Sequence, residues 1–508
     1  MKEKSKNQKL KHEVRASKLQ NLDQLKSWAK ETGFIYPSSE IYGGFQAVYD
    51  FGHYGYLLKE NIKNAWQKAM WQDRNDVVSL DSGIFMHPRT WEASGHVGGF
   101  SDVLIEDKKT HKRYRADHLI EDWMKNSKKF KENKQTFIAA IQDETIKNAI
   151  EKEDMDKLSP EQLTAIIELM DIKSPDGNDL ANARNFNLLV KSNLGTTDSS
   201  FNDENVTYLR GETCQGIYLN YKNVLDSMRV RIPFGIAQVG KAFRNEIVAR
   251  QFIFRLREFE QMELQYFIHP DMNESAYAEW KEARMTWYTN VLGITKDALK
   301  FRPHEKLIFY AKAAEDIVYK FNSMDKFDEV EGIHARSDYD LIQHSKFSGQ
   351  KLEYYDKQKG ERYTPWIVEA SCGLNRLVMM MLDHAWTKEQ IDETGDDKRD
   401  YRLVLKIKPQ LAPIKVAVLP LSKKPELQEL SFEVQRMIRN EWMTEYDETA
   451  SIGKRYRRQD EIGTPYCVTV DFGSLEDKAV TIRDRDTMEQ VRVKIEDVKA
   501  YLKDKLSE

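Results

Sequence analysis

The stretch QVGKAFRNEIVARQFIFRLREFEQMELQYF, residues 238–267, is the part of the chain that decides the fold. Residues at every second position of a β-strand share one face. A strand built from the first half of this stretch presents on one face Gly240, Ala242, Arg244 and Glu246. A strand built from the second half separates an apolar face from a face that carries Phe259, Gln261 and Glu263. The pattern therefore predicts an antiparallel hairpin with a polar, aromatic face.

The loop between these two strands is rich in cations, with Arg250, Arg255 and Arg257. Arginine offers planar, bidentate donors that match phosphate oxygens, and the small residues beside Arg244 leave room for a ligand against the sheet. The hairpin is therefore suited to a polyphosphate nucleotide whose base lies on the sheet. The alternative is a ladder of cross-strand ion pairs on a solvated face. The aromatic ring of Phe259 opposite Arg244 favours the nucleotide.

A second segment, TPWIVEASCGLNRLVMMML at 364–382, reads as a strand that runs directly into an apolar helix. Glu369 and Ser371 share one face of the strand, Gly373 begins the helix, and Arg376 lies in its first turn. A cation at that place, near free backbone N–H groups, is suited to a terminal phosphate. Alone, this pattern is also typical of an ordinary strand-to-helix turn. Together with the hairpin it predicts a nucleotide site.

The composition is that of a folded protein with two or three domains, because 508 residues exceed one ordinary core. The net charge of −4 does not exclude a nucleic-acid partner, since binding depends on where cations cluster. The three cysteines have no CxxC spacing and suggest neither a zinc site nor a disulfide framework. Cys214 and Cys372 are expected to be small buried thiols. Because the sequence has no secretory h-region and no run of 18 apolar residues, we expect a cytoplasmic protein without a membrane partner.

Composition changes along the chain predict its organisation. Residues 121–185 are charge-dense and helix-prone, which is typical of an insertion into a larger domain. From about 205 to 270 the pattern indicates strands. The two prolines in 408–415 mark a boundary, after which strand, helix and strand patterns alternate and predict a compact α/β domain.

Several segments resemble one known family. FRNE followed by REFEQME resembles motif 2 of the class II aminoacyl-tRNA synthetases, and EASCGLNR resembles their motif 3. The segments MHPRTWEASGHVGGFSDVLI, RADHL, RGETCQGIY and DEVEGIHARSDYDL resemble the homodimeric type of glycyl-tRNA synthetase within that class. The C-terminal segment that begins IGKRYRRQDEIGTPYCVTVDF resembles the anticodon-binding domain of those enzymes.

The resemblance implies an α+β fold: a class II catalytic domain, with an antiparallel sheet flanked by helices and a helical insertion, plus a C-terminal α/β anticodon-binding domain. We expect a basic N-terminal extension at 1–30, the catalytic domain at 31–410 with its insertion at about 121–200, and the anticodon-binding domain at 411–508.

The resemblance also implies that the catalytic domain binds ATP and Mg²⁺. The residues that match the family's nucleotide positions are Arg244, Asn245, Glu246, Phe254, Arg255, Arg257, Phe259, Glu329, Val330, Gly373 and Arg376. Arg244, Glu329 and Arg376 are expected to act in catalysis, with Glu329 holding Mg²⁺ through the ATP phosphates. Asn375 occupies a position that is often acidic in the family, which leaves its role beside Arg376 open.

The positions implied for glycine are Arg115, Glu212, Glu263, Arg336, Glu369 and Ser371. Several acids around one small site repel each other unless a cation lies among them, and the glycine ammonium is such a cation. Steric exclusion at Cα is enough to reject every larger amino acid. The implied reaction is formation of glycyl-adenylate and pyrophosphate, followed by transfer of glycyl to the 3′-terminal adenosine of tRNA(Gly).

Partners are implied in the same way. The helical pattern at 56–72 and the turn at Pro88 resemble motif 1, which implies a homodimer; alternatively, the helix only covers its own sheet. The cations at 454–458 beside Tyr456 suit single-stranded RNA, although a charge run is also typical of a solvated face.

Two other functions stay open at this point. One is a synthetase-like, non-catalytic nucleic-acid-binding accessory subunit, which should lack the phosphate arginines and glycine-site acids that this chain carries. The other is an enzyme of the same class that charges a different amino acid.

Overall fold

The computed structural model describes residues 16–155, 158–194, 206–246, 251–305, 307, 311–392 and 400–507. Arg250, the first half of the expected N-terminal extension and the end of the expected insertion therefore lie outside the described residues. Within these ranges no helix has the length and apolar character that crossing a membrane requires.

The helices follow in chain order. They are α1 Leu22–Glu31, α2 His53–Gln67, α3 Arg89–Ala93, α4 His96–Gly99, α5 Ala116–Asn126, α6 Lys128–Ala140, α7 Glu144–Lys152, α8 Pro160–Met170, α9 Cys214–Met228, α10 Asn273–Thr286, α11 Tyr339–Ser348, α12 Leu374–Ala385, α13 Pro425–Ile438, α14 Ile452–Ile462, α15 Phe472–Asp477 and α16 Val498–Ser507.

The strands are mostly short outside two sheets. They are β1 Ala16–Ser17, β2 Ile35–Pro37, β3 Tyr49–Phe51, β4 Val77–Ser79, β5 Ser101–Glu106, β6 Arg113–Arg115, β7 Arg184–Asn187, β8 Val190–Asn193, β9 Val206–Leu209, β10 Phe234–Phe243, β11 Glu258–Ile268, β12 Leu299–Pro303, β13 Ala313–Phe321, β14 Lys326–Ser337, β15 Tyr354–Asp356, β16 Glu361–Tyr363, β17 Trp366–Gly373, β18 Trp386–Gln390, β19 Tyr401–Leu405, β20 Val416–Pro420, β21 Thr444–Tyr446, β22 Tyr466–Val470, β23 Ala479–Asp484 and β24 Gln490–Lys494.

A seven-stranded sheet forms the centre of the larger domain, in the order β12-β13-β14-β17-β11-β10-β4. Its pairings are antiparallel except for that of β10 with β4. The predicted hairpin is present as β10 and β11, with Ala242 opposite Phe259. The expected α+β class, with an antiparallel sheet and a C-terminal α/β domain, is confirmed.

One face of this sheet is closed by helices α2, α10 and α12. On that face Met262, Leu264 and Ala370 are buried against α12, whose own Leu377 and Met380 are fully buried. Each such side chain contributes roughly 1.5–3 kcal/mol when it leaves water. Helix α12 is therefore held firmly against the sheet, and so is the first turn that carries Arg376.

The stretch expected as strands from about 205 to 270 contains a helix, so that part of the expectation is wrong. Helix α9 buries Ile217, Tyr218, Tyr221 and Val224 against β10 and β11. These apolar residues recur every three or four positions, which is the helical period. The aromatic content of the stretch concealed that period.

The helical part of the expected insertion has a core of its own. Helices α5 to α8 pack with β5 to β7 around Ile120, Met124, Ile150 and Ile166. Because Ile105 of β5 belongs to this core, the unit that contains the helices begins before residue 121. The C-terminal domain has another core under the sheet β21-β20-β22-β23-β24.

Candidate active site

A cavity of about 330 Å³ lies on the face of the central sheet that α12 leaves free. Strand pairing brings its residues together: on β17, Ser371 lies opposite Glu263, and Glu369 lies opposite both Gln265 of β11 and His334 of β14. The sequence-predicted residues that line the cavity are Glu212, Arg244, Glu246, Phe254, Arg255, Phe259, Glu263, Glu329, Arg336, Glu369, Ser371, Gly373 and Arg376.

One end of the cavity, which we call the acid end, is formed by Glu212, Glu263 and Glu369. Glu369 is the most heavily bonded of the three. Its Oε1 bonds His334 Nδ1 at 2.7 Å, and its Oε2 accepts from Arg336 Nη1 at 2.9 Å and from Gln265 Nε2 at 2.7 Å. Burial alone would raise the pKa of Glu369, but Arg336 and His334 lower it below its ordinary value. Glu369 is therefore a carboxylate.

Glu263 lies beside Glu369 and behaves in the opposite way. It accepts from the Thr213 hydroxyl and from Gln265 Nε2, the latter at 2.9 Å. Burial raises the pKa of Glu263, and the charges of Glu369 and Glu212 raise it further. In the free protein Glu263 thus has the strongest tendency of the three acids to hold a proton.

Glu212 lies at the start of α9. Its Oε1 accepts from Gln215 Nε2 at 2.9 Å, and His96 Nε2 lies 3.3 Å away. Although burial acts to raise the pKa of Glu212, His96 lowers it well below the ordinary range. His96 therefore supports an acid of the site.

The opposite end, which we call the arginine end, is formed by Arg244, Arg255 and Arg376. Arg244 donates through Nε to Gly211 O at 2.9 Å, and its guanidinium lies 5.2 Å from the Phe100 ring and 5.4 Å from the Phe259 ring. Arg255 is exposed to solvent. The arginine end thus presents cations that are oriented by backbone and rings.

Arg376, at the arginine end, pairs with a neighbouring acid, Glu329. Its Nη1 lies 3.0 Å from Glu329 Oε1, and its Nε donates to Phe254 O at 3.2 Å. Arg376 is the main cause that lowers the pKa of Glu329. The Glu329 side chain is 40% exposed, so its carboxylate is an accessible oxygen ligand of the kind that Mg²⁺ prefers.

The other predicted site residues do not line the cavity. Strand β10 ends at Phe243. Arg244 and Glu246, which do line the cavity, therefore follow the strand and do not continue its face as expected. Asn245 N then donates to Leu188 O at 2.8 Å. Arg257 turns away, donating to Glu246 O at 3.0 Å and lying 5.7 Å from the Phe45 ring.

Arg115 and Val330 are also elsewhere. Arg115 pairs with Asp117, and with Asp102 at 3.3 Å, on the small sheet of β5 to β7. Val330 is fully buried in the main core. Glu329 faces the cavity, and the register of β14 against β13 shifts at Val330, so Gly332 faces the cavity again. The roles of Arg115, Asn245, Arg257 and Val330 stay predictions.

Six further residues line the cavity: Ile253, Leu256, Gln261, Gly332, His334 and Asn375. The sequence placed Gln261 on this face of the hairpin and Asn375 beside Arg376, but it gave no role to the other four. The signal for His334 was present, because it shares a strand face with Gly332 and Arg336. Asn375 Oδ1 accepts from Glu260 N at 2.8 Å, so it fastens the start of α12 to β11. This contact gives Asn375 a structural role beside Arg376.

The thiols near the cavity are both buried, as expected. Burial and then Glu212 raise the pKa of Cys214 well above its ordinary value, and burial and then Glu331 do the same for the pKa of Cys372. Both cysteines are therefore unreactive thiols.

The basic cluster at 454–458 lies on helix α14, and fewer of its cations than expected are exposed for contact with RNA. Arg455 is 3% exposed and donates to Pro420 O. Arg458 pairs with Asp447. Arg455 is therefore a structural residue and adds nothing to an exposed cationic surface, whereas Lys454 and Arg458 are exposed.

Family models match both domains. The tRNA synthetase class II core domain (G, H, P, S and T) matches residues 198–385, and the anticodon binding domain matches residues 415–505. Prolyl-tRNA synthetase from Cryptosporidium parvum, solved with halofuginone and AMPPNP, has a similar fold, with a TM-score of 0.60 and 13% identity over 96% of this chain and 77% of that one. The fold and the cavity thus define a class II aminoacyl-tRNA synthetase.

Curated relatives show which family of this class the chain belongs to. A glycine–tRNA ligase of Chlorobaculum tepidum is 45% identical over 96% of this chain and 100% of its own length. One of Treponema denticola is 44% identical over 93% of this chain and 94% of its own length. The chain belongs to the glycine–tRNA ligase family, as its motifs predicted.

Proposed function

We propose that this protein is an ATP-dependent, AMP-forming glycine–tRNA ligase of protein biosynthesis. It joins glycine and ATP to glycyl-adenylate and pyrophosphate, and then transfers glycyl to the 3′-terminal adenosine of tRNA(Gly). The observation that carries the proposal is that the acid end and the arginine end belong to one cavity. One end suits a small ammonium and the other suits a triphosphate.

The acid end binds the glycine ammonium. Arg336 neutralises part of the negative charge, because it bonds both Glu369 and Asp340. The ammonium supplies the remaining positive charge and donates up to three hydrogen bonds to the surrounding carboxylates. Glu263 then loses its proton more readily, because the added cation offsets the repulsion from Glu212 and Glu369.

The arginine end aligns ATP with the glycine carboxylate. One carboxylate oxygen attacks the α-phosphorus, a bond to that phosphorus forms, and the bond to pyrophosphate breaks. Arg244 holds the α-phosphate and the attacking carboxylate, while Phe259 offers a ring face to the adenine. Positioning and charge neutralisation lower the barrier without a covalent protein nucleophile.

Glu329 is the residue that would hold Mg²⁺. A single carboxylate together with phosphate oxygens is a usual Mg²⁺ environment, and Glu329 lies beside the cation that faces the outer phosphates. When bound, Mg²⁺ balances charge on the departing pyrophosphate. Arg376, freed from its pair with Glu329, then clamps the γ-phosphate.

The non-catalytic accessory subunit is disfavoured. Such a protein has no need for the acid end or the arginine end, whereas both are complete here among the described residues. The curated relatives at 44–45% identity are named as ligases.

Partners and location complete the proposal. The protein acts in the cytoplasm as a homodimer, and its C-terminal domain contacts the anticodon of tRNA(Gly). The face of α2 with Leu58, Ile62 and Trp66 is buried within its own chain, so the dimer uses other residues. Ile41 and Tyr42 are 88% and 86% exposed, and such apolar surface suits an interface.

Glycine-dependent exchange of labelled pyrophosphate into ATP tests the proposal. Exchange is expected with glycine, and far less with alanine or serine, because the acid end leaves no room for the methyl group of alanine or the hydroxymethyl group of serine. Aminoacylation of total tRNA with each amino acid in turn tests the second step. A protein that exchanges no pyrophosphate with glycine, or exchanges equally with alanine, does not have the proposed function.

A further inference from the structure

Behind Glu369, a second group of polar side chains joins the cavity wall. It consists of His304, Asp316 and His334, and we call it the histidine cluster. One potential ligand atom from each residue lies within 4.8 Å of the other two. His304 Nε2 lies 2.8 Å from Asp316 Oδ1, and the rings of His304 and His334 meet edge to face at 5.5 Å.

His334 has one nitrogen engaged and one free. Because a carboxylate accepts hydrogen bonds, Nδ1 carries the proton in its 2.7 Å bond to Glu369. In the neutral ring Nε2 therefore offers a lone pair. This atom is buried and has no hydrogen-bond partner among the described residues. A buried, unpaired polar atom is costly, so it indicates a group that the described protein atoms do not supply.

The space beside this nitrogen depends on a glycine. A Cβ at Gly332 would lie 3.1 Å from His334 Nε2 and 3.8 Å from Asp316 Oδ1. Any side chain there would press on the ring of His334 and fill the gap toward Asp316. Gly332 and His334 both line the main cavity, which gives a small ion a route to the cluster.

Asp316 is held so that one oxygen faces the cluster. Its Oδ2 accepts from Arg302 Nη2 at 3.2 Å, which leaves Oδ1 directed at His304. Asp316 is 6% exposed. The carboxylate thus has a fixed orientation before any ligand arrives.

We propose that His304 Nε2, Asp316 Oδ1 and His334 Nε2 bind one divalent transition-metal ion of the Zn²⁺ type. Two imidazoles and one carboxylate are a donor set for Zn²⁺ or Co²⁺ and not for Mg²⁺, which prefers oxygen ligands. A metal-bound histidine usually donates its other N–H to a carboxylate, as His334 does to Glu369. Binding replaces the His304–Asp316 hydrogen bond: the proton on His304 Nε2 leaves and Nδ1 takes one up, so that the neutral ring binds the metal through Nε2.

Another group of possible ligands lies nearby, namely Cys214, Glu263 and Glu369. It is the poorer site. Both oxygens of Glu369 are already bonded, Glu263 is bonded to Thr213 and Gln265, and the Cys214 thiol is buried. Of the two groups, only the histidine cluster has an unpaired ligand atom among the described residues.

The test is titration of the chelator-treated, full-length protein with Co²⁺ at about pH 8, where imidazoles are largely neutral. Visible d–d absorption reports the site directly and needs no enzymatic assay. The parent protein is expected to bind one Co²⁺ that Zn²⁺ displaces. The variants His304→Gln and Asp316→Asn are each expected to weaken binding at least tenfold, with circular dichroism checking that each is folded.

A matched control is His111→Gln. His111 also pairs with a carboxylate, Glu106 at 3.0 Å, but it is exposed and has no third ligand in the described structure. Co²⁺ binding is expected to be unchanged in this control. The proposal is overturned if the parent protein fails to bind Co²⁺. It is also overturned if both cluster variants bind Co²⁺ as tightly as the parent does. So does a thiolate-to-cobalt band that disappears in Cys214→Ser, because the ion then lies in the other group.

Discussion

The two ends of the cavity differ in how deeply their side chains are buried and how firmly they are held. At the acid end, Glu263 and Glu369 are 2% and 4% exposed and are held by neighbouring side chains, including Gln265, which bonds both. At the arginine end, the Arg376 side chain is 23% exposed, and Arg255 is open to solvent. The acid end is therefore rigid before substrate arrives, whereas the arginine end can adjust.

The difference matches the two ligands that we propose. Glycine has no side chain to grip, so it is recognised only by fixed groups that leave no extra space. A triphosphate is large, flexible and strongly charged, so movable arginines can follow it and neutralise it. Substitutions at the two ends should therefore have different kinetic consequences.

The largest effect is expected for Arg244→Ala at the arginine end. Arg244 contacts the reacting phosphate in the proposed mechanism, and loss of such a contact costs about 3–4 kcal/mol of transition-state stabilisation. Glycine-dependent pyrophosphate exchange should fall by about 10²–10³-fold. Arg231→Ala, an exposed arginine outside the cavity, is the control and should exchange normally. A folded Arg244→Ala protein with undiminished exchange contradicts the assigned role.

The next effect is expected for Glu369→Gln at the acid end. This change removes the carboxylate that pairs with Arg336. Removing one partner of a buried ion pair lowers the free energy of unfolding by about 3–5 kcal/mol. Steady-state exchange assays should show a large rise in KM for glycine and little change in KM for ATP. Equal changes in both values would mean that the two ends are not separate binding sites.

Glu329→Gln should weaken the response to Mg²⁺. The variant keeps the shape but removes the charged ligand, so the Mg²⁺ concentration that supports half-maximal exchange should rise about 10-fold or more. Glu331 is the control position, because it is buried in a pair with Arg284 away from the cavity lining. A Glu331→Gln variant should be less stable but should keep the parent Mg²⁺ requirement once folded.

The smallest effect is a pH-dependent change in stability at Glu263. Its pKa is raised in the folded protein, so folding favours the protonated acid, and the stability this gives is lost as pH rises from the unfolded pKa towards the folded one. Glu263→Gln removes this loss. Urea unfolding at several pH values above about 5 should show the variant gaining stability relative to the parent as pH rises. The gain should be about 1.4 kcal/mol for each pH unit that separates the folded pKa from the unfolded pKa.

Glu369 serves as the internal contrast for that measurement. Its pKa is lowered in the folded protein, so its contribution is present above the unfolded pKa and is lost only as pH falls through the folded value. It therefore stays constant over the range used for Glu263. A free-energy difference between parent and Glu263→Gln that does not change with pH would show that Glu263 is ionised in the free protein.

The sequence predicted which residues line the cavity better than it predicted which of them lie side by side on neighbouring strands. Strand alternation and the family motifs correctly placed Glu263, Glu369 and Ser371 on cavity-facing positions. The cross-strand register that sets His334 and Gln265 beside Glu369 depends on pairing between segments that lie far apart in the chain. Such partners do not follow from local pattern.

Helices gave the clearest errors. In α14 the run of cations at 454–458 suited RNA, and one of them, Arg455, turns inward because helical residues point in all directions around the axis. In α9 the apolar period was present but lay in an aromatic stretch that resembled strands. The burial of Arg455 is set by the surrounding fold and not by residue type, whereas the helical period of α9 was present in the sequence and was misread.

A crystal structure with glycine and ATP would show directly whether one cavity holds both substrates at opposite ends. We predict the glycine ammonium among Glu212, Glu263 and Glu369, and the triphosphate against Arg244 and Arg376. A triphosphate bound away from those arginines, or an amino acid bound outside the acid end, would contradict the proposed function of the cavity.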